Sequence, residues 1–126
     1  MIILEDVLRD RGSRYAALAG PVRDRSGIEA FLADLRARRT FAKASHHSWA
    51  AVLSEGGPLK GDDAEAGAGA VILRMLEREG LTNHVVVTRW YGGVHLGGDR
   101  FAHVVTCARA ALAALRGPLD ARTARR

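Results

Sequence analysis

A chain of 126 residues makes one domain and buries a core without covalent staples, and its single cysteine, Cys107, excludes an internal disulfide. No apolar run approaches the roughly twenty residues of a spanning helix and no charged-then-apolar leader is present, which implies a cytoplasmic protein with no membrane partner. The net charge of +5 invites a nucleic-acid surface, but all the basic residues except Lys43 and Lys60 are arginines strewn along the chain, so charge alone decides little.

Met1–Leu4 reads as an edge strand, and Arg14–Val22 as a strand ended by Gly20 and Pro21. A helix follows, opened by a capping box of Ser26 with Glu29 and carrying Ile28, Phe31, Leu32 and Leu35 on one face. Arg36, Arg38 and Arg39 fall in its last turn, where the helix dipole favours cations. Ser48–Leu53 is the next strand, with Trp49, Ala51 and Leu53 on one face and Ala50 and Val52 on the other. Gly56-Gly57-Pro58 turns the chain into a short strand at Leu59-Lys60. A second helix starts within residues 62–70, points Ile72, Met75 and Leu76 inward and stops at Gly80.

Residues 85–91 are the centre of the pattern. Val85, Val86 and Val87 in succession, running on to Thr88, Arg89, Trp90 and Tyr91, describe a strand buried on both faces, in which Arg89 must reach a rim or find a partner. Four glycines follow in residues 92–98, then Asp99 as a cap for a last helix striped by Phe101, Val104, Val105, Ala108, Leu112 and Leu115. Gly117-Pro118 reads as its stop. The division is one domain over 1–117 and a flexible basic tail over 118–126.

Three stretches carry candidate chemistry. The glycine turn between strand and helix has the character of an anion cradle, with Arg89 and Arg100 adding charge, yet it has neither G-x-G-x-x-G nor G-K-[ST] spacing. Asp62, Asp63 and Glu65 have the density of a divalent-metal or acid–base site, but acidic residues at a helix N-terminus are equally explained by capping and the dipole. His46 and His47 sit at adjacent strand positions, so at most one joins a site; His103 and Cys107, with His95, lack the remaining ligands of a zinc centre. No catalytic residue, metal or cofactor is assigned.

Arg89-Trp90-Tyr91-Gly92-Gly93, Leu96-Gly97, Asp99-Arg100-Phe101 and Cys107-Ala108-Arg109 together resemble the signature of the IMPACT family, whose bacterial branch is the YigZ proteins; the eukaryotic branch is the nearer. Upstream, Asp62-Asp63-Ala64-Glu65 is similar to the family's Asp-Asp-Gly-Glu segment and Ala44-Ser45-His46 to its Ala-Thr-His, so the resemblance spans about residues 6–116.

The resemblance implies a fold and a role. Strands mixed with three helices read as an α/β (α+β) two-layer sandwich, a small mixed sheet with helices on one face; kinship adds the left-handed βαβ crossover of elongation factor G domain IV. The implied role is a non-enzymatic binding protein in translational control and the amino-acid-starvation response. Its partner would be the ribosome-associated activator of the general-control kinase, with actin as a further one. The implied binding surface is His46, Asp62, Asp63, Glu65, Arg89, Tyr91, Gly92, Gly93, Gly97, Asp99 and Arg100. The alternative is an RNA- or ribosome-binding module of YigZ type using Arg89, Tyr91, Arg100, Lys43 and the arginine tail.

Overall fold

Val85, Val86 and Val87 are completely buried in the middle strand of a five-stranded sheet. In the computed structural model of the chain the described residues are 1–10, 12–38, 46–62, 67–91 and 99–124; the side chains of 46, 90, 91, 99, 100 and 117–124 are not among what is described. The elements are β1 (Ile2–Asp10), β2 (Ser13–Pro21), α1 (Arg25–Ala37), β3 (His46–Leu53), β4 (Gly57–Asp62), α2 (Ala68–Glu79), β5 (His84–Tyr91) and α3 (Asp99–Ala124). The sheet order is β1-β2-β5-β3-β4. Among the described residues no helix is long and apolar enough to cross a membrane.

The α/β class is as expected, and the layering is not. The helices cover both faces: α1 packs with Ala16, Leu18, Val85 and Val87, whereas α2 and α3 pack with Ala17, Ala19, Ala50 and Val86. Consecutive valines point to opposite faces of a strand, so burying three in a row requires cover on each side. Phe31 of α1 lies so close over Gly20 that a Cβ there would stand 2.6 Å from its ring.

Nor is any neighbouring pair parallel, against the expected mixed sheet: all four pairings are antiparallel. Parallel relations survive one strand apart. Strands β2 and β3 both run antiparallel to β5, and β4 and β5 both run antiparallel to β3, so α1 and α2 are crossover helices between strands of like direction. The first crossover moves one way across the sheet and the second moves back from strands of the opposite direction. With both helices on one face the two would have the same hand; on opposite faces they have opposite hands. One crossover is therefore left-handed, the arrangement that βαβ units nearly always avoid.

Local corrections have local reasons. Asp24, not Ser26, caps α1: its carboxylate accepts the Gly27 N–H at 2.8 Å. Strand β4 begins at Gly57 and includes Pro58, which an edge strand tolerates because the missing N–H need not join a ladder. Helix α2 ends as read, with Gly80 at φ 68° and the Leu81 N–H donating to Leu76 O at 3.1 Å. In α3 the buried residues are Val104, Cys107, Ala108, Ala111 and Leu112, so Cys107 and Ala111, which the expected stripe omits, belong to the core, while Phe101, Val105 and Leu115 are half-buried. Helix α3 also runs through Gly117-Pro118 to Ala124; proline's fixed φ is itself helical, at the loss of one hydrogen bond.

Candidate functional site

Strand direction gathers the distinctive residues at one end of the sheet. There β1 ends at Asp10, β2 begins at Ser13, β5 ends at Tyr91, β3 begins at His46, β4 ends at Asp62, and α2 and α3 both start. In the ladder Arg14 pairs with Tyr91, His46 with Trp90, His47 with Arg89, and Ser48 with both Thr88 and Asp62. Residues from 14 to 77 positions apart thus become neighbours. Alternation then divides them: His47 and Arg89 share the face that α1 covers, and Ser48, Thr88 and Asp62 share the face of α2 and α3.

Asp62 is the best-defined member. It sits at the end of β4 rather than within a helix, and its carboxylate accepts the backbone N–H of Gly67, at 3.3 Å, and of Gly69. Helix α2 has Gly67 as its N-cap residue, in a left-handed conformation at φ 92° with no side chain to offer. Asp62 supplies the missing cap from outside, and its negative charge meets the positive end of the helix dipole. The capping explanation of this acidic residue therefore holds, although the cap comes from the preceding strand. Closeness is built in at Gly69, where a Cβ would lie 2.7 Å from Asp62 Oδ1 and 3.0 Å from Gly61 O.

Arg89 lies inside the molecule. It is 1% exposed, between Ala16 of β2 and His47 of β3, so it shapes this end of the sheet from within and is no surface cation for an anion cradle. Tyr91 ends β5, His46 begins β3, and Asp99 and Arg100 begin α3. Asp63, Glu65, Gly92, Gly93, Gly97, His95 and Lys43 lie outside the described residues.

A second pairing at this end had no signal in the sequence. His103 Nε2 stands 2.8 Å from Asp10 Oδ2, and its ring lies 5.2 Å from that of buried Tyr15. The contact ties α3 to the end of β1 across 93 positions of sequence. Ser48 and Thr88, both buried, meet at the same ladder rung. The ensemble is a polar sheet end with two helix N-termini.

The family model described as the Impact N-terminal domain matches residues 11–112. The Protein IMPACT homolog of Caenorhabditis elegans is 36% identical over 107 residues, a match covering 79% of this chain and 42% of that protein. Protein IMPACT of Rattus norvegicus is 36% identical over 108 residues, covering 81% of this chain and 34% of that protein. An IMPACT family member of Saccharomyces cerevisiae is 31% identical over 144 residues, covering 82% of this chain and 85% of that protein. The chain thus spans less than half the length of the first two relatives. Among solved structures, that of a hypothetical protein superposes with a TM-score of 0.75 at 23% identity, over 87% of this chain and 56% of the other, a likeness of fold alone. The structure of the two-domain translational regulator Yih1 matches with a TM-score of 0.52 at 32% identity, over 82% of this chain and 42% of that one.

Proposed function

This chain belongs to the IMPACT family, and from that premise we propose that it is a non-enzymatic binding protein in translational control, acting in the cytoplasm through a protein partner of the translation machinery. The observation that carries the reading is the 32% identity, over 82% of this chain, to a protein described as a translational regulator. Binding is favoured over catalysis because, among the described residues, Asp62 is already committed to backbone N–H groups at the start of α2 and Asp10 to His103. The partners that the family resemblance names are the ribosome-associated activator of the general-control kinase and actin. The polar sheet end, with Asp62, Tyr91, Asp99 and Arg100 at its strand and helix ends, is the surface proposed to meet them.

The test is affinity purification from the host's own extract, with and without ribonuclease, at about 50 mM and 200 mM salt, between which phosphate-dominated binding weakens sharply. Recovery of a ribosome-associated protein under all conditions is the expected result. Capture of ribosomal RNA that vanishes with ribonuclease and salt would replace this reading with an RNA-binding module, and an empty eluate would overturn both.

A further inference from the structure

Away from the sheet end, α2 and α3 lie side by side on one face and run in the same direction, and a groove of 370 Å³ opens between their outward sides. Its floor is apolar, formed by the buried or half-buried Val71, Met75, Val105 and Leu112, with the exposed Ala113 beside them. Its rims are basic: Arg74 and Arg78 on α2, Arg109 and Arg116 on α3. Arg116 is occupied, donating from Nη1 to Glu79 Oε2 at 2.6 Å and from Nη2 to Glu79 O at 3.1 Å, which closes one end of the groove over the C-terminus of α2. Among the described residues Arg74, Arg78 and Arg109 form no ion pair.

The dipole at the last turn of α2 accounts for Arg78 but not for Arg74 or Arg109. Arg74 and Arg78 are one helical turn apart, where like charges repel and destabilise the helix, and Arg109 faces them from α3. An apolar floor between such rims is a surface whose complement carries carboxylates on both flanks of an apolar ridge. We propose that this groove is a docking site for an acidic amphipathic helix of a partner protein, with apolar residues at i, i+3, i+4 and i+7 on the floor and Asp or Glu against the arginines. The proposal rests on the protein-binding reading above and gives it a second, separate contact.

The alternatives fit less well. A second copy of the chain would bring the same net positive patch against itself, since a two-fold interface matches each surface to its own image. Single-stranded nucleic acid would find cations here but no aromatic ring to stack on, the floor being aliphatic throughout.

The test is a display selection in which the full chain is the bait and host-protein segments of about 18 residues, five helical turns, are the library. The expected winners have net negative charge and apolar residues at helical spacing. The best segment, synthesised and labelled, should bind at least about tenfold more weakly to the exposed double variant Arg74→Glu/Arg109→Glu, as loss of complementary charge implies. Ala113→Trp, which sets a bulky ring in the mouth of the groove with the charge unchanged, should weaken it likewise. Winners without that pattern, no winners, or an affinity unmoved by both variants would overturn the groove. So would a mixed-sequence single-stranded RNA that binds there more tightly than the segment. Repeating the affinity purification with the double variant separates the two readings. A translation partner still captured undiminished would overturn the groove alone, whereas an empty eluate from the unaltered chain alongside intact segment binding would overturn the translational role alone.

Discussion

At Gly69 a single added methyl group meets three close neighbours. It would stand 2.7 Å from Asp62 Oδ1, 3.0 Å from Gly61 O and 3.2 Å from Trp49 O, and two of these are backbone carbonyls that have no rotamer to escape into. Alanine gains up to about 1 kcal/mol over glycine in helix propensity, but overpacking a tight contact costs about 1–3 kcal/mol. Gly69→Ala is therefore expected to lower stability in urea unfolding; a more stable variant would show that α2 can lift from β4 at no cost. Asp62→Ala removes the acceptor from the same place and should cost about 1 kcal/mol, the usual loss for a helix cap, with the far-ultraviolet circular dichroism of the folded state unchanged. At the surface, Arg9 holds Asp6 in a two-pronged contact of 3.0–3.2 Å, and that hydrogen bond, aided by the charges of Arg9 and Arg14, holds the Asp6 carboxyl below the ordinary aspartate range. A depressed folded value means the contribution is present above the ordinary aspartate range and disappears as pH falls through the lowered value. An NMR titration of the Asp6 carboxyl should show this depression, and Arg9→Gln should bring it back toward the ordinary value.

Helix α1 shows what the sequence carries at the level of an element. Its buried face, Ile28, Phe31, Leu32 and Leu35, is legible because 3.6-residue periodicity admits one stripe. Its start is ambiguous, because Asp24 and Ser26 both satisfy the rule for a cap and only the backbone decides: Asp24 is extended at φ −152° with its carboxylate on the Gly27 N–H. Asp24→Ala should cost about 1 kcal/mol by thermal or urea unfolding, and Ser26→Ala much less; the reverse order would restore the Ser26–Glu29 box. In α3 the expected stripe omits Cys107 and Ala111; a cysteine is as apolar in a core as the alanines beside it and is counted as polar only by convention. The sheet edges follow general rules: a register irregularity between Leu4 and Leu8 in β1 and Pro58 in β4 both discourage pairing with a further strand. Pairings such as Asp10 with His103 have no local signal and come only from the fold.

For the whole molecule, the run Val85-Val86-Val87 already implies cover on both faces, and a one-sided sandwich contradicts it; the sequence does not say which helix goes to which side. The same holds at the sheet end, where the motif residues are recognisable but their split between two faces depends on register, and an exposure of only 1% turns Arg89 from a surface residue into an internal one. The layering leads to a stability prediction. The two apolar clusters share strands β2, β3 and β5 but no side chain, because alternation sends neighbouring residues to opposite faces. Both must be lost when the sheet opens, so unfolding should be one transition, with tryptophan fluorescence and circular dichroism coincident. Ile28 lies in one cluster and Ile72 in the other, each fully buried. Ile28→Val and Ile72→Val should each cost about 0.5–1.5 kcal/mol, small enough to keep the double variant folded. With a backbone layer between the two sites and no shared contact, the costs should add to within about 0.5 kcal/mol. A larger coupling would show that strain passes through the sheet, and two separate transitions would mean that the α1 side opens independently of the α2–α3 side.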